Sequence, residues 1–326
     1  MSELASTVSP VGTPPSDNDM REHFLAAYRW MILGRTFEDK IASLYRSGKI
    51  VGGVYLGRGQ EAFSCALATC LRQGDVYSPL IRDLSGRMAF GETPLESMRT
   101  YLGCATGPMR ARDGNIHTGQ PKKGRPAMIS HLGAMVSVVN GMLMARRFRG
   151  ELDGVVGATS IGDGGTSTGA FHEGLNMAAV EKLPLVVSVA NNQFAYSTCN
   201  KAQFACNDLV DRAKGYGIEG YSVDGLNLEE CLETFRTAVG RARDGAGPQM
   251  IVGSLLRLSG HGEHDDASYV PKEVKDSRLG QDCNLLARKH ILDNQWLAES
   301  ECEAIEKEAV QQVNEALQQA QKESGP

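Results

Sequence analysis

Val155-Val156-Gly157-Ala158-Thr159-Ser160-Ile161-Gly162-Asp163-Gly164-Gly165-Thr166 decides the fold. Its first half, Val155–Ile161, is a short apolar run of the length and β-branched content of a buried strand. Thr168–Glu181 follows with helical spacing, and Leu185–Ala190 is a second buried strand. Strand, helix and strand form a β-α-β unit, which demands a parallel sheet with a right-handed crossover. A second unit continues it, with Ile218–Val223 as strand, Leu228–Arg243 as helix and Met250–Leu258 as strand. The expected fold class is α/β, a parallel sheet flanked by helices on both faces, with helical N- and C-terminal extensions.

Outward from this centre the pattern is helical. Asp19 is placed to cap a helix running to about Tyr45, with Phe24, Leu25, Tyr28, Met31, Ile32 and Phe37 on one apolar stripe. A Gly-rich stretch, Val51–Gly59, leads into a helical run through Ala62, Ala66, Leu67 and Leu71 that stops near Gly74. Arg99–Arg125 has little periodicity and reads as a long functional loop. Val136–Arg149 reads as a helix ended by Gly150. At the far end, Ile305, Ala309, Val313, Ala316, Leu317 and Ala320 give Ser300–Gln321 one apolar face. Residues 1–19, rich in Ser, Pro and Asp, read as a disordered arm, and 20–326 as one domain.

With 326 residues, 41% of them hydrophobic, the chain can bury a large core. A formal charge of -5 gives no electrostatic case for a nucleic-acid or anionic-membrane partner. No apolar window approaches a membrane span and no basic-then-apolar signal opens the chain, so a cytoplasmic location is expected. The eight cysteines form no Cys-x-x-Cys pair and are read as reduced thiols, mostly buried.

The chemistry sits where the strands end. In parallel sheets, ligands lie beyond the carboxyl ends of the strands, and helix N-termini there favour phosphate. Gly164 and Gly165 allow backbone N–H groups to approach an anion. A carboxylate beside a phosphate is repulsive unless a cation lies between them, so Asp163 argues for Mg²⁺. A dinucleotide fingerprint fails, because the third glycine of G-x-G-x-x-G would fall at Ser167. The bland reading of Gly162-Asp163-Gly164 is a tight strand-to-helix turn with a capping Asp. The second strand ends in Ala190-Asn191-Asn192-Gln193-Phe194, and one crossover can bring Asn192 close to Asp163. A carboxylate oxygen, an amide oxygen and a main-chain carbonyl at Phe194 are hard ligands of the type that Mg²⁺ prefers.

Gly162-Asp163-Gly164 followed by Asn191-Asn192 resembles the thiamine-diphosphate motif. The wider stretch Ile161–Gly225, with Phe171-His172-Glu173-Gly174-Leu175-Asn176-Met177-Ala178-Ala179 and Val223-Asp224-Gly225, resembles the alpha subunits of pyruvate and branched-chain 2-oxo acid dehydrogenases. The likeness extends from about Gly57 to Pro271. It implies the thiamine-diphosphate-binding fold, with Asp163, Asn192 and the Phe194 carbonyl on Mg²⁺ and with Gly164 and Gly165 along the diphosphate. Arg82, in Leu80-Ile81-Arg82-Asp83, matches the arginine that grips the diphosphate, where its fork of donors suits phosphate; read by itself it is a surface arginine. The family usually has tyrosine where Ile81 stands. Ser130 and Leu132 match positions lining the aminopyrimidine and the bent middle of the cofactor. His117 matches a histidine in a Gly-rich loop at the active-site entrance.

His261, in Ser259-Gly260-His261-Gly262-Glu263-His264-Asp265-Asp266, matches an active-site histidine on a flexible loop. The resemblance implies that it orients the 2-oxo acid and assists acyl transfer, with a pKa near neutrality. A metal site or a plain polar loop are the rival readings of this stretch. Regulated members carry a phosphorylatable serine after the histidine; Gly262 has no hydroxyl to modify.

The resemblance further implies oxidative decarboxylation of a 2-oxo acid, most simply pyruvate, with the acyl group passing to a lipoyl domain of a dihydrolipoyl acyltransferase. The cofactors are thiamine diphosphate and Mg²⁺. The chain is too short for a second, pyrimidine-binding domain, so a beta subunit supplying a glutamate is expected, in an α₂β₂ tetramer. Branched-chain and acetoin-cleaving enzymes, a split transketolase, and a non-catalytic scaffold subunit remain as alternatives.

Overall fold

The computed structural model describes residues 17–112 and 117–323. In chain order its helices are α1 (Asp17–Arg46), α2 (Glu61–Cys70), α3 (Leu84–Ala89), α4 (Pro94–Tyr101), α5 (Ala134–Phe148), α6 (Gly169–Val180), α7 (Asp211–Tyr216), α8 (Leu228–Arg243), α9 (Lys272–Lys275), α10 (Cys283–Asp293) and α11 (Glu299–Gln321). Its strands are β1 (Val76–Ser78), β2 (Gly157–Gly162), β3 (Leu185–Asn191), β4 (Phe194–Ala195), β5 (Thr198–Cys199), β6 (Glu219–Asp224) and β7 (Gln249–Ser254).

Five strands make one parallel sheet in the order β1-β2-β3-β7-β6, while β4 and β5 form a separate antiparallel pair. The expected α/β class is therefore observed. Strand side chains alternate between faces, and here the two faces feed two cores. Val186, Ala190, Ala158 and Ile251 join the cluster built from α1, α2, α8, α10 and α11. Val187, Val189, Ile161, Met250 and Val252 join the cluster built with α5, α6 and α7. Both faces of β3 are thus covered, which is why Leu185–Ala190 is apolar on both faces but for Ser188, rather than alternating.

Local chemistry sets several boundaries. Thr168 caps α6 by accepting the Phe171 N–H at 3.3 Å, and Asn227 caps α8 at the Glu230 N–H. Thr93 and Glu96 form a reciprocal capping box on α4, with Pro94 in its first turn. Phe171 and Phe235 are fully buried, one in each core, each contributing about 2–3 kcal/mol by area transferred from water.

Four boundaries correct the sequence reading. α1 begins at Asp17, not at Asp19, so the expected arm keeps only residues 1–16, which lie outside the described residues. β7 ends at Ser254, because its partners β3 and β6 end there too. The stretch from Arg99 is helical until Tyr101 and contains a 3₁₀ turn at Pro121–Lys123. The turn at Asp163–Ser167 is 3₁₀, and the Asp163 side chain caps nothing, since Gly162 occupies the cap position. The eight cysteines are free, five of them buried. Among the described residues, no helix is long and apolar enough to cross a membrane.

Candidate active site

Four of the expected positions leave the sheet at a carboxyl end, the edge at which parallel sheets bind ligands. β1 leads to Arg82, β2 to Asp163, β3 to Asn192 and β7 to His261. The register explains the first meeting. Gly162 pairs with Ala190 across β2 and β3, so Asp163 and Asn192 emerge side by side from adjacent strands.

Asp163 and Asn192 are both buried. Burial pushes the Asp163 carboxyl above its ordinary range, against opposing hydrogen bonds from Gln203 and the Gly164 N–H. Gln203 Nε2 donates to Asp163 Oδ2 at 2.9 Å. The other oxygen, Oδ1, lies 3.3 Å from one terminal atom of the Asn192 carboxamide, which in turn lies 2.9 Å from the Phe194 carbonyl oxygen. With no cation between them, the amide would turn its NH₂ end toward these two oxygens. With one, it would present its oxygen, and three hard oxygens would converge. Oxygens at 2.0–2.1 Å from Mg²⁺ stand about 2.9 Å apart along an octahedral edge. The donor set and its spacing fit Mg²⁺.

The two glycines behave differently from the simplest expectation of open space for an anion. A Cβ on Gly164 would collide with the Ala195 side chain, and one on Gly165 would come within 2.6 Å of Ile161. They are required because the β4–β5 hairpin and β2 press on the turn. Leu132 sits beside Gly165, and its carbonyl accepts the Thr168 hydroxyl at 3.2 Å. Leu132 is half exposed. Ser130, two residues before, is hydrogen-bonded to His117 Nε2.

Arg82 and His261 form the second group. Arg82 Nη1 donates to the Leu56 carbonyl at 2.9 Å; Nη2 donates to the His261 carbonyl and lies 3.2 Å from His261 Nδ1. A guanidinium can only donate, so Nδ1 is an acceptor and the neutral ring carries its proton on Nε2. Burial and the nearby Arg257 lower the Arg82 pKa to about 10. Arg82 is thus no free surface arginine.

The expected near-neutral His261 is corrected. Burial first, then the charges of Arg82 and Arg257, lower its pKa to about 4, so the ring is uncharged at pH 7. Its loop is fastened by Asp265, which accepts the His261 N–H and the Tyr269 hydroxyl, the latter at 2.7 Å. Glu263 adds an ion pair to Arg46. Among the described residues, no cluster of three or more His, Cys, Asp and Glu side chains is placed to hold a metal ion.

Three residues absent from the sequence reading join the groups. Arg257 is buried and donates to the Phe194 carbonyl at 3.2 Å, the Tyr196 carbonyl at 3.1 Å and the Tyr269 hydroxyl at 2.6 Å. Tyr196 places its ring 4.5 Å from that of His261. Gln203 holds Asp163. A signal existed for Arg257, a charge in the otherwise apolar Leu255-Leu256-Arg257-Leu258. None existed for Gln203, in an aperiodic loop.

Set against known proteins, residues 28–326 match the dehydrogenase E1 component family. The chain belongs to that family. It is 33% identical over 301 residues to the alpha subunit of acetoin:2,6-dichlorophenolindophenol oxidoreductase from Cupriavidus necator, covering 92% of this chain and 90% of that one. It is 32% identical over 307 residues to the pyruvate dehydrogenase E1 component subunit alpha of Rhizobium meliloti, covering 94% and 88%. A chloroplastic pyruvate dehydrogenase E1 alpha subunit of Oryza sativa is 31% identical over 305 residues, covering 91% and 72%. For this E1 chain the match runs through all the elements that carry the site, from α1 to the His261 loop and beyond.

Proposed function

We propose that this E1 chain is the alpha subunit of a thiamine-diphosphate-dependent 2-oxo acid dehydrogenase, acting on pyruvate and working with a beta subunit. The observation that carries the reading is the convergence of Asp163 Oδ1, the Asn192 carboxamide and the Phe194 carbonyl beside the Gly164–Gly165 turn. Asp163, Asn192 and the Phe194 carbonyl would hold Mg²⁺; the turn backbone and Arg82 would receive the diphosphate; Ser130 and Leu132 would flank the rest of the cofactor. When bound, the cofactor supplies the electron sink for loss of CO₂ from a 2-oxo acid.

The protein's own part is positional. His261, neutral with a proton on Nε2, is a hydrogen-bond donor to the substrate's carboxylate or carbonyl rather than a resident cation. His117, paired with Ser130, stands at the entrance. The Phe194 carbonyl spends one lone pair on Arg257 and keeps the second for the metal. The glutamate that activates the cofactor comes from the beta subunit, in an α₂β₂ assembly, and the acyl group leaves on a lipoyl domain.

Acetoin is the second reading, favoured by the name of the Cupriavidus necator relative. Reconstitution with the beta subunit separates the two. Turnover of pyruvate, 3-methyl-2-oxobutanoate and acetoin is compared at equal enzyme, with thiamine diphosphate and Mg²⁺ present. Pyruvate is expected to be fastest. Faster turnover of acetoin overturns the substrate, and cofactor binding indifferent to Mg²⁺ and to Asp163→Ala overturns the site.

A further inference from the structure

The carboxylate that would meet the cation is steered by a residue outside the ligand set. Gln203 follows a 3₁₀ turn at Asn200–Ala202 and folds back over the Asp163–Ser167 turn. Its Nε2 donates to Asp163 Oδ2 at 2.9 Å and to the Thr198 carbonyl at 2.8 Å. Its backbone carbonyl accepts the Ser167 hydroxyl at 3.1 Å. Gln203 therefore grips the turn at both ends, by side chain at Asp163 and by backbone at Ser167.

Orientation is forced. Turning the Gln203 amide over would set its oxygen against a carboxylate and a carbonyl, both acceptors. With Nε2 fixed, Oε1 is buried without a partner and lies over Gly164, 3.3 Å from the place a Cβ would occupy there. A buried acceptor lacking a donor, on the ligand side of the turn, marks a place for a hydrogen brought by the ligand, such as that of a cation-bound water.

We infer that Gln203 is a positioning residue for the metal: it occupies Oδ2 of Asp163 so that Oδ1 alone faces Asn192 and Phe194. A carboxylate free to rotate could offer either oxygen, or both to one cation, and would lose the spacing described above. Partners that orient ligands commonly change metal affinity by about 10- to 100-fold when removed. This inference rests on the proposed Mg²⁺ and thiamine diphosphate reading of the same turn.

The test is Mn²⁺ titration of the alpha–beta assembly followed by electron paramagnetic resonance, at saturating thiamine diphosphate. Melting of the metal-free assembly is measured alongside. Gln203→Ala is expected to weaken Mn²⁺ by about 10-fold or more with the metal-free melting temperature unchanged. Affinity within twofold of the parent for Gln203→Ala overturns the inference. So does a loss matched by a lowered metal-free melting temperature, which makes the role structural. Absence of Mn²⁺ binding by the parent overturns the cofactor reading itself and this inference with it. Binding by the parent that Asp163→Ala abolishes but Gln203→Ala leaves intact overturns the inference alone.

Discussion

Asp83 and Asp163 are both buried aspartates just beyond a strand of the same sheet, and burial pushes both carboxyls upward. Their surroundings differ in one respect. Asp83 accepts from Gln60 Nε2 at 2.8 Å and from the hydroxyls of Ser64 and Ser160, so each of its oxygens meets a donor. Asp163 has a donor on Oδ2, while Oδ1 faces the Asn192 carboxamide next to a second acceptor. A carboxylate saturated with donors is finished as structure. One whose oxygen meets only a carboxamide beside a carbonyl can exchange that partner for the cation proposed above. Burial and shifted pKa are common to the two and do not separate them; the kind of donor does, since Asp83 meets two hydroxyls and an amide while Oδ1 of Asp163 meets a carboxamide that can turn over.

The sharpest way to break this contrast is Asp83→Ala. It leaves an amide and two hydroxyls without their acceptor in the core, and unfolding free energy should fall by about 3–5 kcal/mol in urea denaturation. A loss below about 1 kcal/mol would remove Asp83 from the structural class. Asp163→Ala should do the reverse. Metal-free stability changes little, while Mg²⁺-dependent thiamine diphosphate binding weakens by at least about 100-fold, or roughly 2.7 kcal/mol, read by calorimetry.

A third buried carboxyl extends the comparison. Glu38 accepts the Gly57 N–H at 2.7 Å through one oxygen, and its other oxygen is buried and unpaired. Burial, then the charge of Glu61, raises its pKa to about 8. A carboxyl whose pKa is raised on folding stabilises fully below its unfolded value, and that stability is lost as pH rises toward the folded one. The window here runs from about 4.5 to 8. Glu38→Gln should therefore match the parent near pH 4.5 and be more stable near pH 9, by about 1–3 kcal/mol. Equal stability at both pH values would show that Glu38 is ionised.

The smallest effect concerns His261. Arg82→Met removes a neighbouring positive charge, so the protonated ring costs less and its pKa should rise from about 4 toward the ordinary histidine range. Imidazole chemical shifts against pH measure it. No movement would leave burial and Arg257 as the causes.

Much of this was legible in the residues. The run Leu185–Ala190 announced a strand buried on both faces, and Gly162-Asp163-Gly164 with Asn191-Asn192 announced the turn and its neighbour. The apolar spacing of Ser300–Gln321 gave α11 nearly to the residue. β1 was missed because three residues carry no period; it is held by pairing with β2, a contact distant in sequence. Arg257 and Gln203 were missed for a related reason. Their role is a geometry between loops: the apolar neighbours of Arg257 hint at its burial, but nothing in residue type or spacing names the Phe194, Tyr196 and Tyr269 oxygens it bonds. The pKa of His261 was misjudged because it depends on Arg82 and Arg257, which only the fold brings beside it.

The hydrogen bonding of Arg82 has a consequence for proton traffic. While its guanidinium occupies Nδ1, the His261 ring has no lone pair to offer and one N–H to give. It is a one-way element, able to lend a hydrogen bond but unable to receive a proton. Any event that draws Arg82 off the ring restores the second direction. If Arg82 receives the diphosphate as proposed, an anion bound there would also be felt as base strength at His261.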